Sequence, residues 1–195
     1  MTQYPIVEIF ESIQGEGYNI GVPATFIRFA GCNLQCPWCD TKWDKAKAIL
    51  TEDEIVAKIN FDLPLIVITG GEPFLQDIKT LVKAIRKVDD DIIIAFETNG
   101  TQSTADIYSF GNIWIACSPK PQTNWSINPL CFFDELKYVI DDKITLDKIK
   151  TTCDFVWLQP QGFDMQNSWK KCYQFVKENP QLRVGVQLHK IMEVR

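Results

Sequence analysis

The chain has 195 residues and a formal net charge of −5, and a chain of this length typically forms one domain. Its 46% hydrophobic and 23% charged residues are ordinary for a packed globular protein, which excludes disorder, collagen and a coiled coil. The acidic balance excludes a general nucleic-acid binder, because phosphate contacts need a basic face. A regular eight-stranded βα barrel usually needs about 250 residues, so the chain is too short for a complete one.

The chain also lacks the features of a membrane-inserted or secreted protein. No run reaches the roughly 18–20 apolar residues of a membrane span, and residues 1–8 lack the basic and apolar regions of a signal peptide. We therefore expect a cytoplasmic protein with no membrane partner and with reduced thiols.

Seven cysteines stand beside a single histidine in this sequence. Three of them fall within eight residues, where disulfides would need strained short loops, so their spacing favours a metal or redox site: Cys32, Cys36 and Cys39. The scattered four are expected to be buried as apolar residues: Cys117, Cys131, Cys153 and Cys172.

In chain order, short β-rich apolar runs recur, and several lack polar alternation, which is typical of parallel strands covered on both faces. They predict strands at 6–11, 24–30, 65–69, 92–97, 112–117, 136–140, 154–158 and 182–188.

Three helices are predicted between these strands. A capping-box pattern at 51–54 begins a helix that ends near residue 60. Apolar stripes at helical spacing predict two more helices, over 75–88 and 169–176. The first stripe is Leu75, Ile78, Leu81, Val82, Ile85 and Val88, and the second is Trp169, Cys172, Tyr173 and Val176. The connections 101–111, 118–135 and 144–152 allow at most short helical turns. The expected fold is α/β, an incomplete parallel βα barrel with thinned helical crossovers.

Parallel strands place ligands at their carboxyl ends, so the residues after each strand are the candidates for a site. Three thiolates in the loop 32–39 can hold three irons of a 4Fe–4S cube and leave the fourth iron open. The alternative is a structural zinc site, which would need a fourth ligand from a distant cysteine or from His189.

Other strand ends carry small and polar residues, namely Thr69–Pro73, 97–100, 118–120 and 159–162. Each alone is typical of a polar turn, but so many at one edge of the sheet predict a shared pocket. Arg28 lies within an apolar strand, where a charge is costly unless it is paired. It could bind a ligand carboxylate with two hydrogen bonds or form a structural ion pair.

Two motifs together are highly specific. The spacing Cys-x3-Cys-x-aromatic-Cys at 32–39, with Gly-Gly-Glu-Pro at 70–73 after the following strand, resembles the radical S-adenosylmethionine (SAM) superfamily. The segments 10–17, 40–41, 118–120 and 186–190 are similar to those of the 7-carboxy-7-deazaguanine synthases. The resemblance covers nearly the whole chain.

The resemblance implies one radical SAM domain over residues 1–195, with a substrate loop at 10–17 and a tail at 186–195 that closes the site. It implies a 4Fe–4S cluster on Cys32, Cys36 and Cys39 and a Mg²⁺ ion at Thr41. The implied SAM-binding residues are Trp38, Cys39, Asp40, Gly71, Glu97, Ser118, Pro119, Lys120, Gln159, Pro160, Gln161 and Gly162. The implied substrate-binding residues are Ile13, Gln14, Gly15, Arg28, Thr69 and Arg195.

The implied activity is a lyase reaction that converts 6-carboxy-5,6,7,8-tetrahydropterin to 7-carboxy-7-deazaguanine and ammonia, in queuosine biosynthesis. No side chain is assigned as catalytic, because SAM and the cluster carry the radical chemistry. The implied partners are a pterin, a flavodoxin or ferredoxin as reductant, and a second copy of the chain. Family members usually end in small or apolar residues, whereas this chain ends with Arg195, whose carboxylate the resemblance places near the substrate.

Two alternatives stay open. A glycyl-radical activating enzyme of the same superfamily would act on a protein partner and consume SAM, although the loop 12–17 and Thr41 disfavour it. A zinc-binding interaction module would explain the three cysteines without any catalysis.

Overall fold

The computed structural model describes residues 2–39, 41–162 and 165–195. Nine strands form its sheet: β1 (Gln3–Ile13), β2 (Pro23–Phe29), β3 (Ala48–Thr51), β4 (Leu65–Gly70), β5 (Ile93–Thr98), β6 (Ile113–Cys117), β7 (Glu135–Ile140), β8 (Phe155–Pro160) and β9 (Leu182–Val184). They lie in the order β3-β1-β2-β4-β5-β6-β7-β8-β9.

The sheet is mostly parallel and does not close on itself. Strands β2 and β4 to β9 pair in parallel, whereas β1 runs antiparallel to both of its neighbours, β2 and β3. β3 and β9 form the two edges among the described strands. This arrangement confirms the predicted incomplete α/β barrel. The antiparallel edge strand β3 was not predicted.

Helices cover only part of the sheet, as predicted. They are α1 (Glu52–Val56), α2 (Ile78–Arg86), α3 (Met165–Glu178) and α4 (Leu188–Ile191). The predicted capping box begins α1, because the Thr51 hydroxyl accepts from the Glu54 amide and the Glu54 carboxylate accepts from the Thr51 amide. Single 3-10 turns occupy the thinned crossovers, at Tyr108–Phe110, Pro121–Thr123 and Leu146–Lys148.

The predicted bounds of three elements, α1, α2 and β9, were wrong. α1 ends at Val56 rather than near residue 60, and β9 ends at Val184 rather than at 188. β9 stops because the Gly185 amide bonds back to the Leu158 carbonyl oxygen and the chain then turns into the short helix α4. The exposed Leu75 and Val88 lie beyond the ends of α2.

The predicted apolar stripe of α3 was wrong at two of its four residues, Trp169 and Tyr173. Trp169 and Tyr173 are exposed, while Cys172 and Phe175 are buried against the strands β7 and β8. The packing of α3 on these strands decides which face of the helix is buried. The sequence alone does not, because α3 has apolar residues on more than one face.

The core lies mainly outside the sheet, under the helices. Tyr4, Phe29 and Ile68 belong to the part under α1 and α2, and Tyr138 and Cys172 to the part under α3. Cys117 and Cys131 are also buried, and Cys153 is half-buried, as expected for apolar cysteines. None of the described helices is long and apolar enough to cross a membrane.

Strand alternation determines the chemistry of the inner face of the sheet. Successive side chains point to opposite faces, so residues two apart share a face. The amino-terminal part of the inner face is apolar, with Ala24, Leu65, Val67 and Ala95 in one cluster. The same alternation places charged and polar residues at the carboxyl-terminal part of that face, which are Arg28, Thr69, Glu97, Lys137 and Gln159.

Candidate active site

A cavity of about 1070 Å³ lies at the carboxyl ends of the parallel strands. Its walls come from the strand ends, the cysteine loop, the loop after β1 and the tail around α4. A cavity of this size can take more than one small ligand, because a single ligand pocket is typically about 300–1000 Å³.

The cavity brings together most of the predicted site residues. The structure places these of them in its lining: Ile13, Gln14, Gly15, Arg28, Cys32, Cys36, Trp38, Cys39, Thr41, Thr69, Gly71, Glu97, Ser118, Lys120, Gln159, Pro160, Gln161, Gly162 and Arg195. Pro119 is not in the lining, although both of its neighbours are. Asp40 lies outside the described residues.

The cysteine loop presents three thiols to the cavity. Cys32 and Cys36 are half-buried and Cys39 is exposed. The Leu34 amide donates to Cys32 Sγ at 3.4 Å, and the Gln122 side chain lies 3.6 Å from Cys36 Sγ. Burial raises the pKa of the Cys32 and Cys36 thiols, so a metal must displace their protons when it binds.

Three thiols in one loop facing a cavity fit three irons of a 4Fe–4S cluster. A single zinc ion would need ligands that converge on one point. Within residues 2–39, 41–162 and 165–195, no group of three or more histidine, cysteine, aspartate or glutamate side chains is placed to hold one metal ion. The scattered cysteines Cys117, Cys131 and Cys172 are buried in the core and offer no fourth ligand at this loop.

The glycine turn after β4 is packed directly against the start of the cysteine loop. A Cβ atom on Gly71 would lie 1.8 Å from the Gly31 carbonyl oxygen, so only glycine fits there. Gly70 has a φ of +126°, which also favours glycine. This close approach explains why the motif after β4 has two glycines.

Glu72 fixes this turn to the end of β5. Its side chain is fully buried and accepts hydrogen bonds from the Thr98 hydroxyl and the Asn99 amide, both at 2.7 Å. Burial raises the pKa of Glu72, and these hydrogen bonds partly offset that effect. The carboxylate therefore ties two predicted strand-end motifs into one wall of the cavity.

Trp38 and Lys120, both predicted to lie beside SAM, meet in the structure. The Lys120 ammonium group is 5.4 Å from the centre of the Trp38 ring and donates to the Ser118 hydroxyl at 2.6 Å. Burial lowers the pKa of Lys120. The strand end after β6 thus contacts the cysteine loop directly.

Arg28 also lines the cavity and is already paired. Its Nε is 3.0 Å from the Glu8 carboxylate, and Nη1 donates to the Thr41 hydroxyl at 2.9 Å. Arg195 forms an ion pair with the same Glu8 carboxylate, and both guanidinium groups lie over the Phe10 ring. The structure therefore shows the ion pair that was one of the two readings of Arg28.

Sequence reasoning missed a buried ion cluster on the inner face of the sheet. Lys137 Nζ lies 2.7 Å from Glu16 and 2.6 Å from Glu97. The sequence signal that could have found it is similar to that of Arg28, a charged residue followed by apolar residues within a strand, here Lys137 before residues 138–140.

The loop after β1 contacts the tail, and residues of both line the cavity. The Gln187 amide group donates to Glu16 at 2.6 Å, and the Leu188 amide donates to the Gly15 carbonyl oxygen at 2.9 Å. His189 packs so closely on Gly15 that a Cβ atom there would lie 1.9 Å from its Nδ1. The structure thus brings the predicted loop and tail together, with His189 in the wall of the cavity.

Comparison with known proteins assigns the family. The model of the radical SAM superfamily matches residues 26–113. A 7-carboxy-7-deazaguanine synthase of Bacteroides thetaiotaomicron is 34% identical over 191 residues, which covers 97% of this chain and 98% of that protein. The chain belongs to the 7-carboxy-7-deazaguanine synthase family.

Other members of the synthase family agree with this assignment. The Aquifex aeolicus synthase is 33% identical over 96% of this chain and 93% of its own length. The crystal structure of QueE from Escherichia coli matches with a TM-score of 0.76 and 26% identity, over 96% of this chain and 95% of that chain. The chain is therefore similar to these proteins in sequence and in fold.

Proposed function

We propose that this chain converts 6-carboxy-5,6,7,8-tetrahydropterin to 7-carboxy-7-deazaguanine with loss of ammonia, as a radical SAM lyase of queuosine biosynthesis. The observation that carries the proposal is the single cavity in which the cysteine loop and glycine turn face Arg28 and Thr41. It joins the two motifs of the radical SAM superfamily to the two residues to which the resemblance assigns the substrate and Mg²⁺.

The residues present fit the implied cofactors. Cys32, Cys36 and Cys39 would hold the 4Fe–4S cluster, and the glycine turn allows the close backbone approach that SAM would need at Gly71. When bound, the reduced cluster and SAM supply a carbon radical that abstracts a hydrogen atom from the substrate. Trp38, Glu97, Ser118, Lys120 and 159–162 complete the SAM side of the cavity.

Arg28 and Thr41 would orient the substrate carboxylate. A guanidinium group binds a carboxylate with two hydrogen bonds, and a hydroxyl oxygen is a suitable ligand for Mg²⁺. The 2.9 Å contact between the two side chains supports this shared role, because the proposed cation and the proposed metal ligand are adjacent. Thr69 pairs with Arg28 in the strand register and faces the same space.

The loop after β1 and the tail would exclude water during the reaction. Ile13, Gln14 and Gly15 line the cavity from the loop, and Arg195 lines it from the tail. Exclusion of water protects a reactive radical from side reactions and strengthens the electrostatic contacts to the substrate.

The partners are proposed on the same basis. A flavodoxin or ferredoxin would donate the electron, and the exposed Cys39 would bring the cluster close to the surface for that transfer. We further propose a cytoplasmic homodimer, in which each chain is one domain with its own cavity. The single sheet that runs from β1 to β9 supports the one-domain organisation.

The test is turnover by protein reconstituted with iron and sulfide without oxygen, given dithionite, SAM, Mg²⁺ and the carboxytetrahydropterin. We expect 7-carboxy-7-deazaguanine and ammonia, with SAM re-formed and carrying deuterium from labelled substrate. Net consumption of SAM with transfer to a protein would instead indicate a glycyl-radical activating enzyme. Zinc without the visible absorption of an iron–sulfur cluster would indicate the zinc-binding module.

A further inference from the structure

Lys137 occupies a central position on the inner face of the sheet. It lies in β7 and is 7% exposed, with Nζ 2.7 Å from Glu16 Oε2 and 2.6 Å from Glu97 Oε2. Both carboxylates are partly buried, with 17% and 19% of their side chains exposed, so the Lys137 ammonium group offsets much of the cost of removing their charges from water. Strand β7 thus provides the positive charge that pairs with carboxylates from β5 and from the loop after β1.

Both carboxylates are linked to the loop after β1. Glu97, in β5, accepts from the Gln14 side-chain amide at 2.9 Å, and Gln14 Oε1 in turn accepts from the Gly15 amide at 2.9 Å. Glu16 belongs to the loop itself. Lys137 therefore holds the loop at two points, directly through Glu16 and indirectly through Glu97.

The loop then holds the tail. Glu16 Oε1 accepts from Gln187 at 2.6 Å, and the Gly15 carbonyl oxygen accepts from the Leu188 amide at 2.9 Å. The order of attachment is therefore strand, then loop, then tail. Replacement of Lys137 would therefore affect the position of the tail as well as that of the loop, through these hydrogen bonds.

We propose that Lys137 is a positioning residue whose buried charge keeps the loop 14–18 and the tail 186–192 closed over the cavity. Its effect on catalysis rests on the proposed function, because the loop and the tail form the substrate side of the site. The cysteine loop and the glycine turn are held by other contacts, through Glu72 and Gln122. Loss of the Lys137–Glu16 ion pair should therefore weaken pterin binding, and Glu16→Gln should leave SAM binding intact because Lys137 can still pair with Glu97 on the SAM side.

The test uses amide hydrogen exchange on the reconstituted protein, in Lys137→Met and Glu16→Gln variants, without substrate. Glutamine has the shape of Glu16 and can still accept from Gln187, but it cannot form the ion pair. We expect amides of 14–18 and 186–192 to exchange at least about tenfold faster in both variants, equivalent to about 1.4 kcal/mol of lost closure. Peptides from β4 and α2 should be unchanged.

The matched control is Lys79→Met, which removes a lysine from an ion pair with Asp106 on the exposed surface. It should leave exchange in both segments unchanged. If Lys137→Met does not fold, Glu16→Gln decides the outcome. Unchanged exchange at 14–18 and 186–192 in the folded variant would overturn the proposal.

Steady-state kinetics separate positioning from general stability. We expect Glu16→Gln to raise the KM for the carboxytetrahydropterin at least about tenfold, with the Kd for SAM unchanged because the Lys137–Glu97 pair is kept. A fall in thermal stability without a change in KM would mean that Lys137 is only structural. Absence of product from the wild-type protein would refute the proposed function, and the exchange result would still decide whether Lys137 closes the loop and tail.

Discussion

Arg28 donates a hydrogen bond from Nη1 to the Thr41 hydroxyl oxygen at 2.9 Å. The contact joins β2 to the segment that follows the cysteine loop, 13 residues further along the chain. It links the proposed carboxylate-binding cation to the proposed Mg²⁺ ligand. Both groups would act on the same substrate carboxylate, so their positions are set together.

Replacement of Thr41 tests the metal assignment. In Thr41→Ala the cluster should be retained, while the Mg²⁺ concentration for half-maximal activity should rise at least about tenfold, since an oriented oxygen ligand is lost. Thr41→Ser keeps the hydroxyl group and should behave like the wild type. An unchanged Mg²⁺ response in Thr41→Ala would assign the ion to another group.

Replacement of Cys36 tests the cluster assignment. Cys36→Ala should lose the cluster and all turnover, because two thiolates are too few to hold the cube. Iron and sulfide analysis with the visible spectrum would measure this loss. Cys153→Ala is the matched control, because this half-buried cysteine packs beside the core near β8 and should keep a full cluster. Retained cluster in Cys36→Ala would refute the assignment.

Replacement of Gly71 tests the close approach of the glycine turn to the cysteine loop. The new Cβ would lie 1.8 Å from a backbone oxygen of Gly31, so the turn and the loop must separate. We expect Gly71→Ala to lose about 1–3 kcal/mol of stability through overpacking. Thermal denaturation would measure this loss, and calorimetry should show weaker SAM binding.

Gly162→Ala is the control for that experiment. A Cβ at Gly162 would meet its nearest atoms at 3.9 Å, from the side chains of Gln187 and Lys190, so it fits without displacement. Its stability should remain within about 0.5 kcal/mol of the wild type. Equal stability of the two variants would contradict the packing argument.

The pH dependence of stability tests the Lys137–Glu16 pair. Burial raises the pKa of Glu16, but Lys137 outweighs it and lowers the pKa from 4.5 to about 2. The pKa is lower in the folded state, so the ionised carboxylate stabilises folding above about pH 4.5, and this contribution disappears as the pH falls towards 2.

Glu16→Gln cannot titrate at that position. The free energy of unfolding, measured by urea denaturation, should therefore fall more steeply with acid in the wild type than in this variant. Parallel curves between about pH 4.5 and 2 would mean that Glu16 has an ordinary pKa in the folded protein.

Local features of the site were predictable because each depends on residues close in sequence. The cysteine spacing, the glycine turn at 70–73 and the capping box at Thr51 are each complete within a few residues. The strand alternation that turns Arg28 inward is equally local, since it follows from a period of two. Seven of the eight predicted strands also lie within three residues of their observed bounds.

Other features depended on which segments meet in the folded chain. The early end of β9 and the buried face of α3 are set by contacts to β8 and its neighbours. Helical spacing alone allowed more than one face of α3 to be the buried one. The residues after β9, 185–188, allowed the strand to continue to residue 188. In both cases tertiary packing selected one of several locally acceptable arrangements.

The family of this protein could be read from its amino acids, because the three cysteines of the loop 32–39 and the glycine turn at 70–73 are short motifs with a specific spacing. The closure of the cavity could not, because it depends on contacts between distant segments. Lys137, Glu16, Glu97 and Gln187 are far apart in the chain, and no local pattern says that they meet. A buried charge needs an oppositely charged partner, and that partner can come from any segment that the fold brings close. The pairing is therefore seen only when the sheet, the loop and the tail are packed together.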